Sequence, residues 1–270
     1  MIKILHRFFY AWLFLTRLPA PPLPKASKED WGRIAPYFTL IGFIIGLILY
    51  FFAKFLILNK IPFMFSALLV LLLWNLITGS LHMDGLMDTF DGIGCEDKSR
   101  KLEAMKDSRI GAFGAIGGIF VILFKLVSLC TLLLNKLFFV IVISTAIARL
   151  LTVYSFTFLR KNKDSGMSSS LLLLGVKKPK DFIINILTFV FFLITCGVGL
   201  STIGGPAFGW ILPLHFCTVI FILISVFICL FWTHWLDRHF KGHTGDTFGA
   251  LIELTETTVL ALGVVLRNYL

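Results

Sequence analysis

Residues 81–114 read LHMDGLMDTFDGIGCEDKSRKLEAMKDSRIGAFG. Asp84, Asp88, Asp91, Glu96, Asp97, Glu103 and Asp107 put seven of the chain's fifteen acidic residues into this stretch. On both sides lie apolar runs of the roughly 20 residues that a helix needs to cross a bilayer. The 270-residue chain is 57% hydrophobic and only 15% charged, with a mean hydropathy of +0.90. Soluble domains carry about 45–50% apolar and about 25% charged residues. The fold class this predicts is all-α, a polytopic integral membrane bundle. Seven spans are expected, near 36–56, 62–81, 110–130, 137–157, 182–202, 211–235 and 248–266. The second is expected to run on as helix into the acidic stretch.

No repeat and no soluble domain stands out, so residues 1–270 are read as one membrane domain. Residues 1–33 form a cytoplasmic or interfacial segment, and 82–109 an acidic cytoplasmic loop. Ile4, Leu5, Phe8, Phe9, Trp12 and Leu13 recur at helical spacing, which suits a helix lying in the membrane interface rather than a cleaved signal peptide. Pro21, Pro22 and Pro24 cannot sit inside a helix, so Pro19 to Arg33 reads as a loop or an interfacial turn before the first span. The net charge of +10 fits basic loops facing the cytoplasm better than nucleic acid. Nineteen Lys and Arg fall on one side of the seven-span topology and four on the other. That bias puts the N-terminus and every polar motif in the cytoplasm, at the inner (plasma) membrane. Five cysteines with no paired spacing predict neither a disulfide framework nor a zinc site.

Asp84, Asp88 and Asp91 are spaced to share one helical face. Like charges so placed repel unless a cation lies between them, and hard oxygen ligands favour Mg²⁺, Mn²⁺ or Ca²⁺. A solvated acidic helix end would show the same residues, but Gly85 and Gly92 beside them let a ligand come close. Mg²⁺ is commonly held by one or two carboxylates plus substrate phosphates, so a phosphate substrate is expected. Glu103 and Asp107 repeat the one-face spacing, and Lys106 and Arg109 add cations for phosphate oxygens. His82 is a candidate base, ligand or interface residue. Arg149 lies inside an apolar run, where a charge needs a partner or a cavity. Lys125 is similar but has fewer polar neighbours. HTGDTFGALIELTE, residues 243–256, puts Asp246, Glu253 and Glu256 on about one face, with Gly245 and Gly249 permitting close approach. Both acidic faces begin at the same membrane edge, so they can converge. The basic, Ser-rich loop 160–181 either binds anions or only serves the charge bias.

The runs LHMDGLMDTFDGIG, KLEAMKDSRIGAFG and HTGDTFGALIELTE occur in order, with FLTRLPAP near the start and PYFTLIGFIIG opening the first span. Together they resemble the cobalamin synthase family, the adenosylcobinamide-GDP ribazoletransferases. His243 and Cys95 stand where Gly-like positions are usual, and neither is a carboxylate. The resemblance implies a Mg²⁺-dependent transfer. A hydroxyl of α-ribazole, or of its 5′-phosphate, attacks the cobinamide-side phosphate of adenosylcobinamide-GDP, and GMP leaves. It further implies Asp84, Asp88, Asp91, Glu103 and Asp107 as metal ligands. Arg109, Arg149, Lys106, Glu256 and Arg17 would bind substrate or phosphate. Asp246, Glu253 and His82 would join Asp84, Asp88 and Asp91 in the catalytic set. Lipid and the two substrates are the expected partners, nucleic acid is not, and oligomer formation is left open. Two alternatives remain: a CDP-alcohol phosphotransferase-like enzyme, whose D-x-x-D-G-x-x-A-R motif is not matched, and a transporter, whose acids would lie nearer the midplane.

Overall fold

Where the sequence suggests one long helix, the chain turns a corner. In a computed structural model describing residues 2–97, 100–107, 109–160, 179–203 and 211–270, α4 (Phe63–Thr78) stops at Gly79. Gly79 (φ 62°) and Ser80 (φ 55°) are both left-handed, and Ser80 N–H donates to Asn75 O at 3.0 Å. This is a helix stop that glycine permits without a Cβ penalty. α5 (Leu81–Gly94) then departs at 89° to α4. The expected continuous helix is therefore corrected to a bent pair, which carries Asp84, Asp88 and Asp91 across one end of the bundle.

The described residues form helices and turns, with no strand among them. α1 (Ile2–Leu15) and the short α2 (Lys28–Trp31) precede α3 (Phe38–Leu58). After α5 come the short α6 (Lys101–Ala104), α7 (Ala112–Leu134), α8 (Phe139–Phe158), α9 (Pro179–Ile203), α10 (Ile211–His239) and α11 (Gly245–Val265). Among the described residues five helices are long and apolar enough to cross a membrane, or six if the bent pair is one span. The expectation of seven also counts α9.

α8 is the central post, with nearly every side chain from Val140 to Phe156 buried. α3, α9, α10 and α11 pack around it. An apolar helix buried on all sides belongs inside a bundle, whereas a helix with one bare apolar stripe faces lipid. α7 is of the second kind: Phe113, Ile116, Phe120, Phe124 and Val127 recur at helical spacing and are all exposed. Short loops make neighbouring helices antiparallel, so one end of the bundle collects several polar segments. Arg17 N–H donates to Ile77 O at 2.7 Å there, and His243 N–H donates to Arg160 O at 2.9 Å. α5 lies at this same end, packed on α7 and α11.

Candidate active site

α5 and α11 meet backbone to backbone. A Cβ on Gly85 would fall 2.8 Å from Asp246 O, and one on Gly249 would fall 3.0 Å from His82 O. Only glycines allow this approach, so the two residues that let the helices touch also bring their acids together. Asp84 and Asp88 come from α5, one turn apart; Asp246 comes from the first turn of α11. α11 is started by Thr244, whose hydroxyl accepts from Thr247 N–H at 3.2 Å. A carboxylate in the first turn is favoured by the helix dipole. Asp84 is exposed, while Asp88 and Asp246 are half-buried. Asp88 feels the charges of Asp246, Asp84 and Asp91. Among the described residues neither Asp84, Asp88 nor Asp246 has an ion-pair partner, although the charge of Lys106 acts on Asp246. Three carboxylates without an ion-pair partner border one half-exposed junction and make it electronegative.

Asp91 is held differently. Its two oxygens accept from Gly111 N–H and Gly114 N–H, both at 2.8 Å. It therefore caps α7 from a neighbouring helix, satisfying donors that the helix leaves without internal partners. Glu103 and Asp107, expected as metal ligands, are exposed and pair with arginines instead. Arg100 reaches Glu103 at 3.5 Å and Arg109 reaches Asp107 at 2.8 Å. The Arg109 hydrogen bond holds the Asp107 carboxyl down at about 2, and Asp107 in turn raises Arg109. Among the described residues no three His, Cys, Asp or Glu side chains are grouped as a ready-made metal centre. The five-carboxylate ligand set is thus not assembled, because a short loop has room to pair its own charges locally. Arg17 lies with its side chain over Gly79, at the corner between α4 and α5. The loop 160–181 falls mostly on residues 161–178, outside the described residues.

Glu253 and Glu256, expected as a base and a polar substrate contact, are sealed in the bundle. Lys125 Nζ donates to Glu253 Oε2 at 2.6 Å and to Glu256 Oε2 at 2.7 Å. Arg149 Nη1 donates to Glu256 Oε1. Trp74 lays its ring 4.6 Å from the ammonium of Lys125. All four charged side chains are at most 4% exposed. Two anions and two cations cancel, which is how a membrane interior tolerates them. Arg149 is thus committed on one edge to a carboxylate, not left for phosphate alone, while its Nε and Nη2 lack partners. Lys125 is the residue that sequence reasoning passed over. Its signal was its isolation in an apolar run, which demands an anion on another helix.

A cavity of about 160 Å³ opens beside the acids. Phe14, Phe156 and Phe248 wall it, His82 and Thr152 line it, and Asp84 and Asp246 stand where it borders the cleft. His82 is 4% exposed, and its Nε2 has no hydrogen-bond partner. His243, four residues before Thr247, stacks on Phe248 with ring centroids 5.0 Å apart. Burial lowers its imidazole to about 4.

A family profile described as cobalamin-5-phosphate synthase matches residues 7–264. The chain is 33% identical to an adenosylcobinamide-GDP ribazoletransferase of Thermoanaerobacter pseudethanolicus, covering 95% of this chain and 96% of the relative. It is 32% identical to the Clostridium tetani protein of that name, with 98% of each covered, and 31% identical to one from Synechococcus sp., with 92% of each covered. No solved structure matches. The relatives leave the CDP-alcohol phosphotransferase and transporter alternatives without support. The profile and the relatives run through every helix that builds the cleft, and the chain belongs to the cobalamin-5-phosphate synthase family.

Proposed function

We propose that this multi-pass membrane transferase joins adenosylcobinamide-GDP to α-ribazole, or to its 5′-phosphate, with Mg²⁺ as cofactor. The products are adenosylcobalamin, or its 5′-phosphate, and GMP. The observation that carries the reading is the meeting of Asp84, Asp88 and Asp246 across the Gly85 and Gly249 contact, with no cation paired to them. The substrates follow from the names of the relatives.

The donor set fits Mg²⁺ of a particular kind. Mg²⁺ keeps several waters and takes one or two carboxylates plus substrate phosphates, so a site without three grouped protein ligands suits it. Asp84 and Asp88, one turn apart on α5, would hold it. When bound it supplies charge neutralisation for the diphosphate. The chain's own residues do the rest. The closed bundle behind α5 and α11 keeps the cleft one-sided, so the diphosphate enters from the end that carries Lys106 and Arg17. The ribazole hydroxyl forms the new P–O bond to the cobinamide-side phosphorus. The P–O bond to GMP breaks, and GMP leaves with that electron pair. Asp246, across the cleft from α5, is placed to accept the hydroxyl proton. Lys106 offers positive charge to the departing phosphate. Asp91 keeps α5 seated on α7.

The Lys and Arg bias supports a cleft facing the cytoplasm of an inner (plasma) membrane. Incubating detergent-purified protein with both substrates and following masses tests the whole reading. GMP and adenosylcobalamin should form with Mg²⁺ and stop with EDTA. Intact substrates in the presence of Mg²⁺ would overturn it.

A further inference from the structure

A second cavity lies away from the acids, and cations dominate its lining. Its volume is about 320 Å³, twice that of the cavity beside Asp84. Arg7 of α1, Arg33 just before α3 and Lys180 in the first turn of α9 line it, with Tyr37 and Ile184. Asp181, which is buried, is the one acid of the lining. Three cations from three separate segments thus border one opening. Arg7 Nε donates to Asp30 Oδ1 at 3.2 Å, and Arg33 Nη2 lies 2.7 Å from Glu29 Oε1. Glu29 also stands 4.0 Å from Arg7. Both acids belong to α2, outside the lining. A guanidinium carries five N–H groups in a fixed fork, so these contacts steady the two forks and leave most of their donors unused. Lys180 has no ion-pair partner among the described residues. It is also the only lysine of the basic 160–181 run that lies among them.

The cavity borders a lipid-facing surface. Ile184 belongs both to its lining and to an exposed apolar stripe along α9, made of Ile184, Leu187, Phe191 and Ile194. These residues recur at helical spacing, as on a bundle helix that faces lipid. On α1, Ile4 and Leu5, close to Arg7 in the chain, are exposed as well, which suits a helix lying in the membrane interface. A polar cavity and an apolar track are therefore continuous, as a phospholipid's headgroup and chains are. We propose that the cavity binds the phosphodiester of a membrane phospholipid, with Arg7, Arg33 and Lys180 taking the phosphate oxygens and one acyl chain lying on the α9 stripe. Charge-assisted N–H bonds to phosphate are strong, and an arginine fork reaches two oxygens at once. With Glu29, Asp30 and Asp181 counted, the three cations are balanced, so the site recognises phosphate by placed donors and not by bulk positive charge. A soluble phosphate would use the same donors and leave the stripe bare, whereas a lipid fills both. The site is independent of the transfer reaction. About two helical turns on from Arg7, α1 sends Phe14 into the wall of the cavity beside the acids, so a lipid held here steadies a helix that borders the cleft.

Native mass spectrometry of the detergent-purified full chain, titrated with dioleoylphosphatidylglycerol, reads the lipid adduct directly. A saturable adduct should form. Dioleoylglycerol, which keeps the chains and lacks the phosphate, should not displace it, and neither should a hundredfold excess of glycerol 3-phosphate. Arg33→Gln together with Lys180→Gln removes two cations at exposed positions and should raise the apparent Kd at least about tenfold. Lys60→Gln together with Lys136→Gln removes as much charge in the exposed turns after α3 and α7 and should leave that Kd unchanged. If losing the Arg33 contact to Glu29 lowers the thermal midpoint, Lys180→Gln alone is read instead, with a rise of about fivefold expected. The absence of a saturable adduct would overturn the proposal. Displacement by glycerol 3-phosphate would overturn it in favour of a soluble phosphate, and displacement by dioleoylglycerol in favour of purely apolar binding. An equal loss in both double variants would overturn it in favour of general charge attraction.

Discussion

Two groups of acids in this protein have nearly the same sequence signature and opposite surroundings. Asp84 and Asp88 sit one turn apart on α5, and Glu253 and Glu256 sit one turn apart on α11. The glutamates are met by Lys125 and Arg149 and are sealed from water. The aspartates meet a further aspartate, Asp246, and no ion-pair partner. Spacing therefore makes a face, and the partner decides what that face is for. Acids matched with cations in the membrane core hold helices together. Acids without an ion-pair partner at the bundle end form the cleft that the proposed reaction uses.

The sharpest way to break this contrast is to unbalance the buried group. Glu256→Ala leaves Arg149 and Lys125 short of an anion, and removing one partner of a buried pair costs about 3–5 kcal/mol. The expected result is a large fall in the thermal midpoint of the detergent-solubilised protein. An unchanged midpoint would mean the network is not structural.

Next in size is a pH effect confined to the turn before α11. His243 stays neutral down to about 4 because it is buried, whereas in the unfolded chain it takes a proton near its ordinary value of 6.5. Between those values the unfolded state binds the extra proton, so stability is full above 6.5 and falls as pH drops toward 4. The loss is up to about 3 kcal/mol. His243→Asn should flatten midpoint against pH over that window; an identical slope in the variant would remove His243 as its source.

Asp91 tests the boundary between the two kinds of acid, because its carboxylate is matched by backbone N–H groups and not by a cation. Asp91→Asn turns one acceptor into a donor facing an N–H, at a cost of about 1–2 kcal/mol. Stability should drop by that amount with only a few-fold change in rate. A loss of rate as severe as for Asp88 would return Asp91 to the metal. The smallest effect belongs to the loop. Glu103→Gln and Asp107→Asn break exposed pairs worth about 0–1 kcal/mol, and rate and stability should both hold near wild type.

Much of the fold was legible in the amino-acid sequence because the apolar runs at α3, α7, α8, α10 and α11 are long and unambiguous. The acids of α5 stood out for the same reason, as charge in an oily chain. Three things were not legible. Gly79 gave no warning that the second run turns by 89°, since an isolated glycine in an apolar run is equally compatible with continuing helix. The roles of Glu253 and Glu256 depended on Lys125, more than a hundred residues away, and on which helix faces which. The aromatic cavity drew its walls from α1, α8 and α11, so no local pattern contained it.

The central claim is that the unpaired acids do the chemistry. The measurement that meets it most directly is the rate of GMP release by purified Asp88→Asn at saturating Mg²⁺, with the thermal midpoint taken on the same sample. The account predicts a loss on the order of 10²–10³-fold with the midpoint held at the wild-type value. A wild-type rate, or a loss matched by unfolding, would contradict it.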